Sequence, residues 1–240
     1  MKVLAVDTAA GGCSVALLDG EALVAEQASR EANGPVRRLL PLIDELLARA
    51  GLKPSRVDLM AVTRGPGSFT GLRVGLATVQ GLALATGVPV VAVSTLEALA
   101  FQAAADAVVA PMIDARRGEV YCAVYRVADG RPTVLAPEAA LAPGEAARRI
   151  EGDCLLIGSG VPVYEEELVA VLADRAVLAP PDLHALRAAS VGRLALRRIG
   201  EAVPAEELIP RYLRDAGTPM PNRAPASRRP VGVDKRRPDW

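Results

Sequence analysis

At 240 residues the chain is long for one ordinary domain and short for three. A hydrophobic content of 51% against 23% charged residues excludes a disordered or collagen-like polypeptide. Lys and Arg together number 28 and so do Asp and Glu, so no overall basic field advertises a nucleic acid, and aromatics at 3% offer few stacking platforms for single strands. Three widely spaced cysteines without a CxxC pair, and a single histidine, His184, exclude a zinc knuckle, a disulfide framework and any HxxxH or HExxH metal site, and they suit a reducing cytoplasm.

Met1-Lys2 leads straight into Val3-Leu4-Ala5-Val6, with neither an h-region nor a cleavage site, so no secretory leader is expected. This strand ends at Asp7. Thr8 to Gly12 form a small-residue turn, and Cys13 to Leu18 a second strand. Asp19-Gly20 turns the chain into a third strand around Ala22 to Gln27. Asn33-Gly34-Pro35 supplies a cap and a first-turn proline for a helix with apolar positions Val36, Leu39, Leu40, Ile43, Leu46 and Leu47, in which Pro41 predicts a bend or a late start.

Val57 to Val62 reads as a buried strand, and Arg64-Gly65-Pro66-Gly67-Ser68-Phe69-Thr70-Gly71 as a glycine-rich turn into a helix from about Leu72 to Thr86. Val90 to Val93 is then a parallel neighbour of the preceding strand by the right-handed crossover rule. The uncharged run from Val74 to Leu96 is no membrane span, because Gly87 and Pro89 break it. The glycine run lacks the Lys-Ser/Thr of a Walker A loop and does not match GxGxxG, so a P-loop NTPase is excluded. Gly71 and Gly75, with Ala77 and Gly81 nearby, are instead read as letting another helix approach closely, either as core packing or as a partner surface.

The second half repeats the first in pattern. Val109 to Ile113, Asp114, a polar turn through Gly118 and Val120 to Tyr125 again give strand, aspartate, turn and strand, at a constant offset of 107 residues from the first half. The boundary is expected within or just after a helix near 97–106. Leu155-Leu156-Ile157 leads into Gly158-Ser159-Gly160 and a helix from about Val163 to Leu172, and a further helix is expected from Asp182 to Ile199. From Ala216 onward there are five prolines and no apolar periodicity. Six basic residues against two aspartates give this tail a net +4, and a disordered basic terminus is expected, able to touch RNA or simply solvated.

An aspartate ending a first strand before a small-residue hairpin suits the magnesium of a nucleotide, its carboxylate holding the metal's waters while turn amides face the phosphate. Asp7, Thr8, Asp114, Gly158 and Gly160 are therefore the candidate nucleotide residues. The same two aspartates can equally cap turns. The architecture implied is α/β, with two related actin-like (ribonuclease H-like) subdomains over 1–100 and 101–215, each a mixed sheet flanked by helices, and a tail over 216–240.

The run from Arg64 to Gly75 is long and specific. With Val6-Asp7-Thr8-Ala9, Val93-Ser94-Thr95-Leu96, Ile113-Asp114-Ala115-Arg116-Arg117-Gly118-Glu119-Val120-Tyr121 and Pro210-Arg211-Tyr212-Leu213-Arg214, it resembles the TsaB (YeaZ-like) family over about residues 1–214. The resemblance implies a cytoplasmic, non-catalytic subunit of the bacterial machinery that places a threonylcarbamoyl group on the adenosine beside the anticodon of tRNAs reading A-starting codons. It implies that the catalytic, metal-binding work belongs to a paralogue, TsaD, and that an ATPase, TsaE, joins. ATP and a divalent metal would then sit in the partner subunits, with no cofactor required by this chain. It also implies a partner interface on the two helices of the first half, through Leu39, Leu40, Ile43, Leu47, Leu72, Arg73, Gly75, Leu76 and Val79, a homodimer through the same surface when the partner is absent, tRNA contact through the complex and no membrane. Two features depart from the family: Pro35 stands where members often carry a histidine, and the tail beyond Arg214 has no counterpart. The residues alone leave open a free-standing actin-like ATPase or small-molecule kinase built around Asp7 and Asp114. Glycoprotein peptidase, an older name in the superfamily, is disfavoured by the missing metal histidines.

Overall fold

The computed structural model describes residues 1–29 and 34–214, without the side chains of 34–36. Asn33, expected to cap the first helix, and the basic tail lie outside the described residues.

The chain folds as two five-stranded sheets with the same strand order. β1 (Lys2–Asp7), β2 (Cys13–Asp19) and β3 (Ala22–Ser29) form an antiparallel meander. α1 (Gly34–Arg49) then leads to β4 (Leu59–Thr63), parallel to β1, and α2 (Phe69–Thr86) to β5 (Val90–Val93), parallel to β4. The first sheet therefore runs β3-β2-β1-β4-β5. After α3 (Thr95–Gln102) the design recurs with β6 (Ala107–Arg116), β7 (Glu119–Ala128), β8 (Arg131–Leu141), α4 (Pro143–Arg148), β9 (Cys154–Ile157), α5 (Glu165–Leu172) and β10 (Ala176–Leu178). The second sheet reads β8-β7-β6-β9-β10, the same order strand for strand. α6 (Ala188–Arg197) follows, and a strap runs on to Arg214.

Both sheets are covered on both faces, which is why their strands read as unbroken apolar runs rather than as alternating ones. Side-chain alternation divides each strand between two cores. Leu4, Val6, Val15, Leu17, Met60 and Val62 point outward to α1 and α2. Val3, Ala5, Ala16, Leu18, Leu59 and Ala61 point inward to α3 and α6, which are shared with Val109, Ile113, Ala123 and Tyr125 of the second sheet. The outer face of the second sheet packs Ala110, Met112, Cys122 and Leu156 against α4 and α5. Each fully buried leucine contributes roughly 2 kcal/mol by removal from water.

The boundary expected at residue 100 falls inside α3, and packing crosses it. α3 lies on β6, β7 and β8 of the second sheet, whereas α6, from the end of the chain, lies on β1, β2, β4 and β5 of the first. Gly192 lets α6 settle there, since a Cβ would meet Leu18 Cδ1 and approach Ala5 Cβ at 3.1 Å. Val203 then bridges Val90, covering the β5 edge.

Several expectations shift locally. α2 begins at Phe69, because the Ser68 hydroxyl caps it by accepting the Gly71 N–H at 3.2 Å. α1 begins at Gly34, ahead of Pro41, and runs through it. The helix expected over Asp182 to Ile199 is split into a 3-10 turn, Pro181–His184, and α6. The three cysteines are buried, and desolvation raises the thiols of Cys122 and Cys154 to about 11. Among the described residues no helix is long and apolar enough to cross a membrane.

Candidate functional site

Asp7 closes β1 at the sheet's heart and is only 3% exposed. Its carboxylate accepts the Thr63 hydroxyl at 2.7 Å and the Ala9 N–H at 3.0 Å, with the Thr8 and Ala10 amides also directed at it. Burial raises its pKa above the ordinary carboxylate value of 3.8, and these hydrogen bonds only partly oppose that. The amides expected to face a phosphate are thus turned onto the chain's own carboxylate.

Thr8 faces the other way. Its hydroxyl donates to the Gly71 carbonyl at 2.8 Å, pinning the end of β1 to the first turn of α2. Gly71 and Gly75 make this possible, because a Cβ at 71 would collide with the Thr8 carbonyl oxygen and one at 75 with the Thr8 hydroxyl. Gly67 admits Ala9 in the same way, and Gly65 admits the Arg211 carbonyl of the strap. The glycine run therefore serves the chain's approach to itself, which corrects its reading as room for another helix at Gly71 and Gly75. Ala77 and Gly81, farther along α2 and on its other face, are exposed, and Gly81 has open space where a side chain would stand.

In the second half Asp114 ends its turn half-buried. One carboxylate oxygen accepts the Arg116 N–H at 2.8 Å and the Tyr164 hydroxyl at 3.2 Å, while the other lies 3.6 Å from the Arg116 guanidinium. Gly158 and Gly160 pack against β6 rather than opening a loop: a Cβ at 158 would strike the Met112 carbonyl, and one at 160 would stand 3.0 Å from Val120 Cγ1. Their amides are also engaged. Gly158 donates to His184 Nδ1 at 3.2 Å and Gly160 to the Met112 carbonyl at 2.9 Å. The lone histidine thus ties the 3-10 turn to the end of β9.

Between the halves lies a cleft of about 840 Å³, lined by Thr8 to Gly12, Pro66 to Phe69, Asp114 to Arg117, Tyr121, Ser159 and the strap residues Arg211 to Arg214. Asp7 does not line it directly; Asp7 borders an adjoining cavity of about 620 Å³, lined also by His184, Glu26 and Arg187, which shares Ala10, Gly11, Gly12 and Ser159 with the cleft. The two aspartates therefore line different cavities. Among the described residues no three His, Cys, Asp or Glu side chains gather as metal ligands. With Asp7 buried and held by Thr63 and the Thr8, Ala9 and Ala10 amides, and Asp114 beside Arg116, this donor set does not fit a magnesium nucleotide held as the sequence suggested.

The predicted interface residues divide by face. Leu39, Ile43, Leu47, Leu72, Leu76 and Val79 are buried on the first sheet, and Gly75 is covered by Thr8. Their apolar character is accounted for by the chain's own core, so as surface residues they are corrected. Leu40, 58% exposed, and Arg73 do reach the surface. Arg73 lies over the Phe69 ring at 3.9 Å and donates to the Tyr212 hydroxyl at 3.2 Å, so it belongs to the strap end of α2. The outward stripe is instead Leu40, Pro41 and Ala48 on α1 with Ala77, Gly81 and Leu84 on α2, Leu84 being 56% exposed. Leu40 is among the expected interface residues, and Ala77 and Gly81 belong to the small-residue set read as allowing a close helix approach; Pro41, Ala48 and Leu84 were not expected there.

The family model described as "TsaD: tRNA N6-adenosine threonylcarbamoyltransferase" matches residues 25–221. The chain is 36% identical to the tRNA threonylcarbamoyladenosine biosynthesis protein TsaB of Haemophilus influenzae over 233 residues, covering 91% of this chain and 95% of that one. The solved structure of YeaZ from Pseudomonas aeruginosa superposes with a TM-score of 0.75 at 36% identity, covering 88% of this chain and 99% of that chain. A shorter stretch of 76 residues, 32% of this chain, is 49% identical to a tRNA N6-adenosine threonylcarbamoyltransferase of Solidesulfovibrio magneticus.

Proposed function

The chain belongs to the TsaB (YeaZ-like) family of tRNA threonylcarbamoyladenosine biosynthesis proteins, and on that premise we propose that it acts as a non-catalytic scaffold and activator. In this reading the threonylcarbamoyl transfer is performed by a TsaD-type paralogue, with a TsaE-type ATPase joining the assembly in the cytoplasm. ATP and a divalent metal serve those partners, and tRNA meets this chain within the complex.

The observation that carries the reading is the closure of Asp7. A carboxylate that accepts a hydroxyl and its own turn's amides inside the core is a structural plug. The single histidine adds a second argument: the sequence lacks the pair that a two-histidine metal site needs, and His184 Nδ1 already accepts the Gly158 N–H. The free-standing ATPase reading required Asp7 in the cleft and loses its main support.

The partner would dock on the outward stripe of α1 and α2. Small residues at 77 and 81 allow close helix approach, flanked by the exposed leucines 40 and 84. The same stripe would pair two copies of the chain when the partner is absent.

Reconstitution with the organism's own TsaD and TsaE, tRNA, ATP and a source of threonylcarbamoyl-adenylate tests this directly. The modified nucleoside, scored by mass spectrometry, should form only when the chain is present, while the chain alone turns over neither ATP nor tRNA. Modification at the same rate without it would overturn the reading.

A further inference from the structure

The cleft between the subdomains is poorly suited to a magnesium nucleotide, yet its lining is far from featureless. The chain has only seven aromatic residues, and three of them, Phe69, Tyr121 and Tyr212, line this one cleft. Four arginines, at 116, 117, 211 and 214, line it with them, against a single lining acid, Asp114. We propose that this cleft binds single-stranded RNA, stacking an unpaired base on the Phe69–Tyr212 pair and holding its flanking phosphates with the arginines. The proposal rests on the assignment to tRNA modification and assigns this chain a direct contact with that substrate.

The ring pair is held in place before any ligand arrives. Phe69 and Tyr212 have centroids 5.1 Å apart at a 34° tilt, and the Arg73 guanidinium both covers Phe69 and hydrogen-bonds the Tyr212 hydroxyl. Each ring residue remains 37% exposed. A pre-set, half-exposed aromatic surface loses little side-chain freedom when a base stacks on it.

The strap that carries Tyr212 is anchored at both ends. The Arg211 N–H donates to the Arg64 carbonyl at 2.7 Å and its guanidinium lies 3.3 Å from Glu138, while Arg214 reaches the Ala115 carbonyl and Glu119. Those two arginines are thus partly neutralised by the walls. Arg116 and Arg117 are both exposed, and the Arg116 side chain is 87% accessible with a long pairing to Asp114 at 3.6 Å. The sequence after Arg214 continues the positive charge, with six basic residues against two aspartates from Ala216 to the end.

Guanidinium groups beside aromatic rings suit a flexible polyanion with splayed bases. A cleft of about 840 Å³ has room for an unpaired nucleotide. A free triphosphate would instead call on a metal-binding carboxylate and the amides beside it, whereas Asp7 is buried and already accepts the Thr8, Ala9 and Ala10 amides.

The test is fluorescence anisotropy of the full chain, alone and in its reconstituted complex, with a labelled unmodified anticodon stem-loop, titrated over a range of salt. Arg116→Gln combined with Arg117→Gln should flatten the slope of log affinity against log salt by about 1.4, at about 0.7 per phosphate contact on a single strand. Phe69→Leu should weaken binding about fivefold or more at unchanged slope and unchanged Tm. Wild-type affinity and slope in both variants would overturn the proposal, as would full displacement by millimolar ATP or equal competition by fully duplex RNA. In the modification assay the variants should raise KM for tRNA. An unchanged KM, with the chain still required, overturns the cleft site alone; modification that needs no chain overturns the functional reading and removes the ground for an RNA ligand with it.

Discussion

The first and second sheets share one strand order, but the first carries outer helices of 16 and 18 residues and the second outer helices of 6 and 8. The strand ends differ in the same sense. Asp7 is sealed by Thr63 and its own turn, and Thr8 is locked into α2 by two glycines, whereas Asp114 stays half-buried between Arg116 and Tyr164. The two halves of a repeated scaffold thus differ in helical layer and in turn: the first has long outer helices and a closed turn, the second short outer helices and a charged turn. The larger layer supplies an outward surface, and the closed turn withdraws the chemistry that the fold could otherwise house.

The largest effect expected from breaking this asymmetry lies at the Thr8 lock. Gly71→Val forces a side chain into the Thr8 backbone and should destabilise by about 3 kcal/mol, as read by urea unfolding. Gly160→Ala in the second half places its Cβ 3.0 Å from Val120 Cγ1 and 3.2 Å from the Asp114 and Ile113 backbone, looser than the 2.0 Å approach at Gly71, and should cost about 1 kcal/mol. Equal losses would remove the distinction between the two turns.

Next in size is the outward stripe. Gly81→Arg enters open space, so the isolated chain should gain up to ~1 kcal/mol from helix propensity. Binding of the TsaD-type partner, and self-association of the chain alone, should each weaken by about 2 kcal/mol or more in sedimentation or calorimetry. A variant that is destabilised yet still assembles would contradict the assignment of this face.

A smaller effect separates Asp7 by pH. Its folded pKa is raised above the ordinary 3.8, so the proton it holds favours the folded state at low pH, and that contribution fades as pH rises through the folded value. The stability of the wild type relative to Asp7→Asn should therefore fall as pH increases above about 4. A relative stability that rises with pH would mean the carboxylate is stabilised as an anion, as a metal ligand would be.

The smallest effect is expected on the second sheet's outer face. Val169→Glu, on the exposed side of α5, should leave assembly unchanged and shift stability by less than about 0.5 kcal/mol.

The repeat was legible in the sequence because Asp7 and Asp114 sit at equivalent strand ends, each followed by a glycine-bearing turn and a second apolar strand. The strands β1 to β7 and β9 could be read from short β-branched or apolar runs between turn residues. β8 escaped notice because Pro132, Pro137 and its alanines lower its β character at a sheet edge, where such residues are tolerated. α4 and β10 are too short to show a period. The interface side chains were misplaced because α2 is buried on one face and lined with alanine, glycine and leucine on the other, so apolarity alone cannot tell which side faces the sheet. The closure of Asp7 depends on Thr63, 56 residues away, and no local pattern carries that contact. Nor does any local pattern bring Tyr212 to Phe69 and Arg73.

The most direct test compares two variants in one reconstituted modification assay. Asp7→Asn should support threonylcarbamoyl transfer within about twofold of the wild type, whereas Gly81→Arg should reduce it about thirtyfold or more through lost assembly. The reverse result, with Asp7→Asn inactive in an intact complex and Gly81→Arg fully active, would contradict the account and return the chemistry to this chain's own first strand.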